Sequence, residues 1–333
     1  IVDNGSNDGS VEWLKQYPRK EKKLQIIFLP ENTGFCGAVN TGIRQTETPY
    51  VLLLNNDTRV LPGFVQALEQ NLEEHPDTFS AGAKMLVMKQ PELIDDAGDL
   101  YCALGWAYGR GKGKPETGFG KPAKIFAACG GACIYRRSVL NEIGLLDENH
   151  FAYLEDVDLG YRAQIYGYVN RYEPKARVLH AGSAVSGSRH NAFKVNLSSR
   201  NSIYLIWKNQ PFLQHLLNLP FIFIGVVVKT LFFLPKHLAG NYVKGVCRGV
   251  KLAVSKEGRA HKGHVKPSQV GNLCQSRKRA GQIHVGTKGR RYHCKVCGKL
   301  GIYFFFYCGS DSLDDCQCPF GCQRLYSCSI QHS

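Results

Sequence analysis

Apolar and polar positions fall in blocks along the first half of the chain, and each apolar block ends abruptly. Ile1–Val2 stops at Asp3, the run LQIIFL (Leu24–Leu29) stops before Pro30-Glu31-Asn32, and YVLLL (Tyr50–Leu54) stops at Asn55-Asn56-Asp57. The stretches between them have helical character: Val11–Tyr17 follows Ser10 as a plausible N-cap, and Gly37–Gln45 precedes the third run. Strands alternating with helices predict a mainly parallel central sheet, and unbroken apolar runs fit strands covered on both faces. Ligands of such sheets sit beyond the carboxyl ends of the strands. Asp3 and Asp57 stand at two of those ends.

A further strand-like run, FAACGGACIYRRSVL (Phe126–Leu140), carries the pair Gly130-Gly131, where another backbone or a ligand can approach closely. It leads to GLLDENHFAYLEDVDLGYRAQIYGY (Gly144–Tyr168). A helix starting near Glu155 turns Leu159, Ala163 and Tyr166 to one side and sets Asp158 and Arg162 four apart, as a surface ion pair. Glu155 and Asp156 fall at the positive end of that helix. A strand then runs into ARVLHAGS, with His180 at its end.

From Asn201 the pattern changes. The segment IYLIWKNQPFLQHLLNLPFIFIGVVVKTLFFLPKH is apolar but interrupted at Pro211, Asn218, Pro220, Lys229 and Pro235. Spanning a bilayer takes about 20 consecutive apolar residues. Leu219–Val228 is too short for that, so helices lying in the membrane interface, or a re-entrant hairpin, are expected.

Composition sharpens this division. The chain has 333 residues, 44% of them hydrophobic, enough for one substantial core and something smaller. Its start lacks the apolar segment of a signal peptide. The net charge of +15 is concentrated late: Lys244–Lys299 holds fifteen Lys and Arg against one acid, Glu257. Such a segment suits an anionic membrane face or nucleic acid. Seven of the 13 cysteines lie in the last 40 residues, whereas Cys36, Cys102, Cys129 and Cys133 are scattered, as in a reducing compartment. Cys294 and Cys297 form a CxxC knuckle that Cys308, Cys316, Cys318 and Cys322 could complete as a Zn2+ site. Read alone, the tail suggests a basic, zinc-containing nucleic-acid-binding protein. It lacks the aromatic interleaving of one.

Six motifs occur in a fixed order: VDNGSNDGS, ENTGFCGAVNTGI, LLLNNDT, GGACIYRRSVL, LLDENHFAYLEDVDLGYRAQIYGY and VLHAGS. Together with SSRNSIYLIWKN they resemble family 2 glycosyltransferases, and within them the bacterial rhamnosyltransferase-like branch, over roughly residues 1–250. The resemblance implies an α/β GT-A fold and an inverting enzyme that moves a sugar, rhamnose among the candidates, from a nucleotide-diphosphate donor to a cell-surface polysaccharide or glycolipid. It implies a divalent metal, Mg2+ or Mn2+, and work at the inner face of the plasma membrane. Carried over by motif, Asp3, Gly34, Asn56, Gly130 and Gly131 face the nucleotide sugar, and Asp57 and His180 hold the metal. Asp156 is the catalytic base, supported by Glu155. Family members begin with a strand of the type VSVIIVTYN and a helix, so this chain is expected to start inside the second strand and to lack a central one. The implied division is a catalytic domain at 1–200, membrane-associated helices at 201–255, and a basic linker with the Cys-rich tail at 256–333.

Overall fold

The structure is a computed structural model that describes residues 1–16, 24–182, 191–260, 303–305 and 307–308. Cys294 and Cys297, and with them the expected zinc knuckle and most of the basic segment, lie outside the described residues.

The chain opens with β1 (Val2–Asn4), α1 (Ser10–Gln16), β2 (Ile27–Leu29), α2 (Gly34–Arg44), β3 (Tyr50–Leu54) and β4 (Thr58–Val60). It continues through α3 (Phe64–Glu74), the long β5 (Thr78–Val87) and β6 (Gln90–Asp96), then β7 (Asp99–Tyr101), β8 (Ala107–Gly109) and β9 (Ala123–Ile125). After β10 (Ala132–Arg136) come α4 (Arg137–Ile143), α5 (Glu155–Ile165) and β11 (Val169–His180). The later helices are α6 (Ala192–Asn209), α7 (Phe212–Phe233), α8 (Ala239–Val254) and α9 (Lys256–Ala260), and two short strands follow, β12 (Tyr303–Phe305) and β13 (Tyr307–Cys308).

The expected strands and helices form, with shifted ends, but the main sheet is mixed rather than mainly parallel. β10 runs antiparallel to both β3 and β5, β4 and β9 run antiparallel to β11, and among the described residues only β5–β11 and β3–β12 are parallel within it. An apolar run such as Ala132–Tyr135 looks the same in either direction, because burial on both faces leaves no directional mark. β1 pairs parallel with β2 in a smaller sheet. At one edge of the smaller sheet β13 pairs parallel with β1, and at one edge of the main sheet β12 pairs parallel with β3.

The core lies on both faces of the main sheet. Val51, Leu53, Cys133 and Tyr135 face α2, α4 and α5 on one side, in a cluster with Ile43, Leu140 and Leu159. Leu52, Leu54 and Ile134 face α3 on the other, against Phe64, Leu68 and Leu72. This two-sided packing explains the unbroken YVLLL run, all five residues of which are buried.

Two sequence expectations change from residue 192 onward. The division at 200/201 falls inside α6, whose Tyr204, Leu205 and Asn201 are fully buried, and Leu205 packs against Ala127, Val157 and Tyr161 of the preceding region. The apolar stretch is also not broken: α7 is one helix of 22 residues that runs through Pro220. Phe212–Lys236 is long and apolar enough to cross a membrane, with only 11% of its most apolar window buried. Pro220 removes one backbone donor, a loss that can be absorbed within a helix that continues on both sides.

Candidate active site

Four chain segments converge beyond the strand ends. Asn55, just past β3, donates its backbone N–H to Gly131 O at 2.9 Å. One residue earlier, the Gly130 N–H donates to Asp156 Oδ2, also at 2.9 Å. The Asn55-Asn56-Asp57 loop, the glycine pair and the helix-start acids are therefore linked by hydrogen bonds. A side-chain carbon at Gly131 would lie 3.2 Å from the Asn55 amide and 3.1 Å from Met85, which accounts for glycine there. Asn56 flanks this contact, partly exposed.

Asp57 and His180 meet directly. His180 Nε2 lies 3.2 Å from Asp57 Oδ1, and the Ala181 N–H donates to the Asp57 carbonyl. Burial alone would hold the imidazole neutral, but its hydrogen bonds and ion pairs with Asp57 and Asp95 raise it to about 9. Asp57 Oδ1 is buried without a well-formed hydrogen bond. A hard carboxylate oxygen and an imidazole nitrogen suit Mg2+ or Mn2+. Among the described residues no group of three His, Cys, Asp or Glu side chains surrounds one point. A cation here would rest on two protein donors and complete its shell from water or a bound ligand.

Asp156 and Glu155 occupy different environments. Glu155 is buried, its Oε2 has no partner, and burial plus the charge of Asp156 push it up to about 8. Asp156 is only partly buried. Burial raises it too, while N–H groups of Gly130 and Val157 favour its charged form. The pair thus divides into a neutral, enclosed acid and an accessible carboxylate, the separation that acid–base chemistry uses. The approach to the helix is strained: Phe151, Tyr153 and Leu154 all have φ between 63° and 69°, a region costly for side-chain-bearing residues. Asn201 on α6 holds this stretch by donating to the carbonyls of His150, Ala152 and Tyr153.

Asp158 is not the surface ion pair expected from its spacing. It is fully buried, and it accepts from Arg162, Lys208 and Asn209 at 2.7–3.0 Å. The i,i+4 pair with Arg162 does form, but α6 covers it.

The carboxyl end of β1 is organised by a residue that the motifs did not single out. Asn4 accepts from the Thr33 N–H and hydroxyl, and donates to Asn32 Oδ1 and the Gly34 carbonyl, so it fixes the loop that starts α2. Asp3 beside it is fully buried with Oδ2 unpartnered. Gly34, at φ +77°, sits where a side-chain carbon would strike Phe151 at 2.5 Å. Its glycine is therefore required by packing, whatever it contributes to a ligand.

Sequence reasoning also missed Asp95, Asp96 and Asp99. Asp95 bonds His180. Burial and the charges of Asp95 and Asp156 push Asp96 up to about 7 against the Gly98 N–H that it accepts, and Asp99 is raised by burial and by Asp96 and Asp156. Asp95, Asp96, Asp99 and Asp156 thus lie close enough for their charges to bear on one another. The only signal in the sequence was an Asp-Asp pair at the end of an apolar Leu93-Ile94 step.

Residues 1–144 match the model of glycosyl transferase family 2. The chain is similar to the N-acetylglucosaminyl-diphospho-decaprenol L-rhamnosyltransferase of Mycobacterium tuberculosis, 26% identical over 240 residues that cover 61% of this chain and 75% of that one. It is 23% identical over 177 residues to a poly-β-1,6-N-acetyl-D-glucosamine synthase of Staphylococcus epidermidis, covering 53% of this chain and 40% of the other. Among solved structures, GalNAc-T7 with UDP, GalNAc and Mn2+ superposes with a TM-score of 0.49 at 16% identity, over 62% of this chain and 40% of that one.

Proposed function

We propose that the protein, whose residues 1–144 match the model of glycosyl transferase family 2, is an inverting, metal-dependent transferase of GT-A fold acting on a nucleotide-diphosphate sugar. The observation that carries this reading is the hydrogen-bonded path from the Asp57 loop through Gly131 and Gly130 to Asp156. It sets a cation-suited pair and an accessible carboxylate on one surface. Asp57 and His180 would hold the cation, which stabilises the charge that develops on the leaving diphosphate. Asp156 accepts the proton of the acceptor hydroxyl as it attacks. Glu155 keeps its own proton at neutral pH and so leaves the negative charge on Asp156. Rhamnose is the donor sugar to test first, and a lipid-linked saccharide the acceptor, because the mycobacterial relative is named for that transfer. The test is nucleoside-diphosphate release from a panel of donors with Mn2+ and acceptor. Release should depend on Mn2+ and fall at least about tenfold for Asp57→Ala. Release by the variant equal to that of the unaltered chain removes Asp57 from the reaction.

The membrane placement rests on α7. Phe212, Leu213, Leu217 and Phe223 are each more than 60% exposed, far beyond the scattered apolar side chains of an ordinary surface. The adjoining α8 carries Lys244, Arg248 and Lys251. An apolar helix beside a basic one suits the inner, anionic face of a plasma membrane. The full chain should float with vesicles containing phosphatidylglycerol, and Phe212→Asp with Phe223→Asp should reduce flotation. Unchanged flotation by the double variant would count against α7 as the contact.

A further inference from the structure

We propose that Asp95 is a positioning residue for the metal site: it fixes the orientation of His180, so that Nδ1 keeps its proton on Asp95 and Nε2 is the nitrogen that faces Asp57 and gives up its proton when a cation binds. The inference rests on the metal reading above and adds a residue to it.

The backbone of His180 is pinned on both sides, in register with Val87 of β5 and Thr58 of β4, and its carbonyl accepts from the Met88 N–H at 2.9 Å. None of these contacts determines which way the ring faces, because χ2 of histidine is broad and roughly two-fold. A half-turn of the ring would exchange Nδ1 and Nε2. Asp95 removes that freedom. Its Oδ2 lies 2.6 Å from His180 Nδ1, on the side of the ring away from Asp57, while Nε2 lies 3.2 Å from Asp57 Oδ1.

Asp95 is itself held. Lys112 Nζ lies 2.6 Å from Asp95 Oδ1 and 3.4 Å from its carbonyl, leaving Oδ2 for the imidazole. The side chains of Asp95 and His180 are 13% and 14% exposed, so water competes weakly for the bond. Asp95 comes from β6, one residue before Asp96, so the Lys112–Asp95–His180–Asp57 series ties the β6 edge to the end of β3. Asp57 and Asp95 lie at opposite nitrogens of one ring, and a single ion cannot be ligated by both through that ring. This is why the carboxylate nearer in distance acts through the imidazole rather than on the metal. A carboxylate that accepts from the far nitrogen of a ligating histidine fixes its tautomer and raises its basicity, and losing such a partner lowers metal affinity 10–100-fold.

The test titrates Mn2+ alone into the full chain and follows the free hexaaqua ion by electron paramagnetic resonance. Asp95→Ala should weaken Mn2+ binding by about 10–100-fold. His180→Ala should weaken it at least as much, and the double variant should bind as His180→Ala does, because Asp95 has no route to the ion except the ring. If Asp95→Ala fails to fold, judged by circular dichroism, Asp95→Asn supplies the comparison. It keeps an oxygen acceptor without the charge and should weaken binding several-fold, since charge-assisted bonds are about twice as strong as neutral ones. Affinity equal to that of the unaltered chain in a folded Asp95 variant overturns the inference and leaves the metal site standing. Losses that multiply in the double variant also overturn it, because Asp95 would then act independently of His180. No Mn2+ binding by the unaltered chain overturns the metal reading and this inference together.

Discussion

Asp156→Asn should lower turnover by at least about a hundredfold, the contribution of a positioned general base being roughly 10²–10⁴, with little change in KM for the donor. The amide keeps the shape and can still accept from the Gly130 N–H, which lies 2.9 Å from Oδ2, but it cannot take a proton. The donor-side groups, Asp57 and His180, are untouched, so the loss should fall in kcat rather than in donor binding. The thermal midpoint should stay constant or rise. Asp156 is held in a surrounding that already disfavours its charge through burial, and removing that charge also relieves Glu155, Asp96 and Asp99, each of which it pushes up. Glu155→Gln is the companion measurement. Burial and the charge of Asp156 push Glu155 up to about 8, so the amide resembles its protonated form and most of the turnover should survive. Near-normal turnover for Asp156→Asn, with a large loss for Glu155→Gln, would reverse the two roles.

These acids show where sequence reading works and where it stops. The placement of Asp57, Asp156 and the Gly130-Gly131 pair was legible because each lies at the end of an apolar run or at a helix start. Those positions are local features, and local features leave a periodic trace. YVLLL became a strand with its predicted ends, Tyr50–Leu54, because burial on both faces writes itself into every residue. Asp95 left no such trace. Its partner His180 is 85 residues away, and nothing in GlnProGluLeuIleAspAsp distinguishes a histidine-orienting carboxylate from a strand-end acid. The direction of β10 was hidden for a related reason: it depends on how the chain returns to the sheet, not on which residues the strand contains. Pro220 misled in the opposite way, since a strong local breaker was outvoted by a long apolar helix around it.

Lys208→Met should be the most damaging substitution to the fold, and it follows from the element that the sequence misassigned. Lys208 Nζ lies 2.8 Å from Asp147 Oδ2 and 2.9 Å from Asp158 Oδ2, and its side chain is 4% exposed. Tyr204 donates to the same Asp147 oxygen, and Arg162 shares Asp158. Methionine fills similar volume but leaves Asp147 without its cation in a buried site. Breaking a buried pair from one side costs about 3–5 kcal/mol. At roughly 2–4 °C per kcal/mol for a domain of this size, the thermal midpoint should fall by on the order of 10 °C. Arg44→Met is the control: its pair with Glu148 is more than half exposed on both sides, so the change should be under about 1 kcal/mol. The pH profile gives a second readout. Against burial, Lys208 holds Asp147 down to about 2, and Lys208 and Arg162 hold Asp158 below the usual carboxylate range. Depressed carboxylates supply stability that is fully present above their unfolded value, about 4, and is lost as pH falls toward 2. The unaltered chain should therefore lose stability steeply over that interval, and Lys208→Met should show a flatter acid limb because much of that linkage is already gone. The two substitutions separate the helix's two acids by function. Asp156→Asn removes turnover from a folded protein, whereas Lys208→Met removes the fold first, by freeing the α6 contacts that seat Asp158 two residues further along. Equal thermal midpoints for Lys208→Met and the unaltered chain would mean that α6 is held by its apolar face alone, through Val195, Leu205 and Ile206, and that the buried charges contribute orientation without net stability.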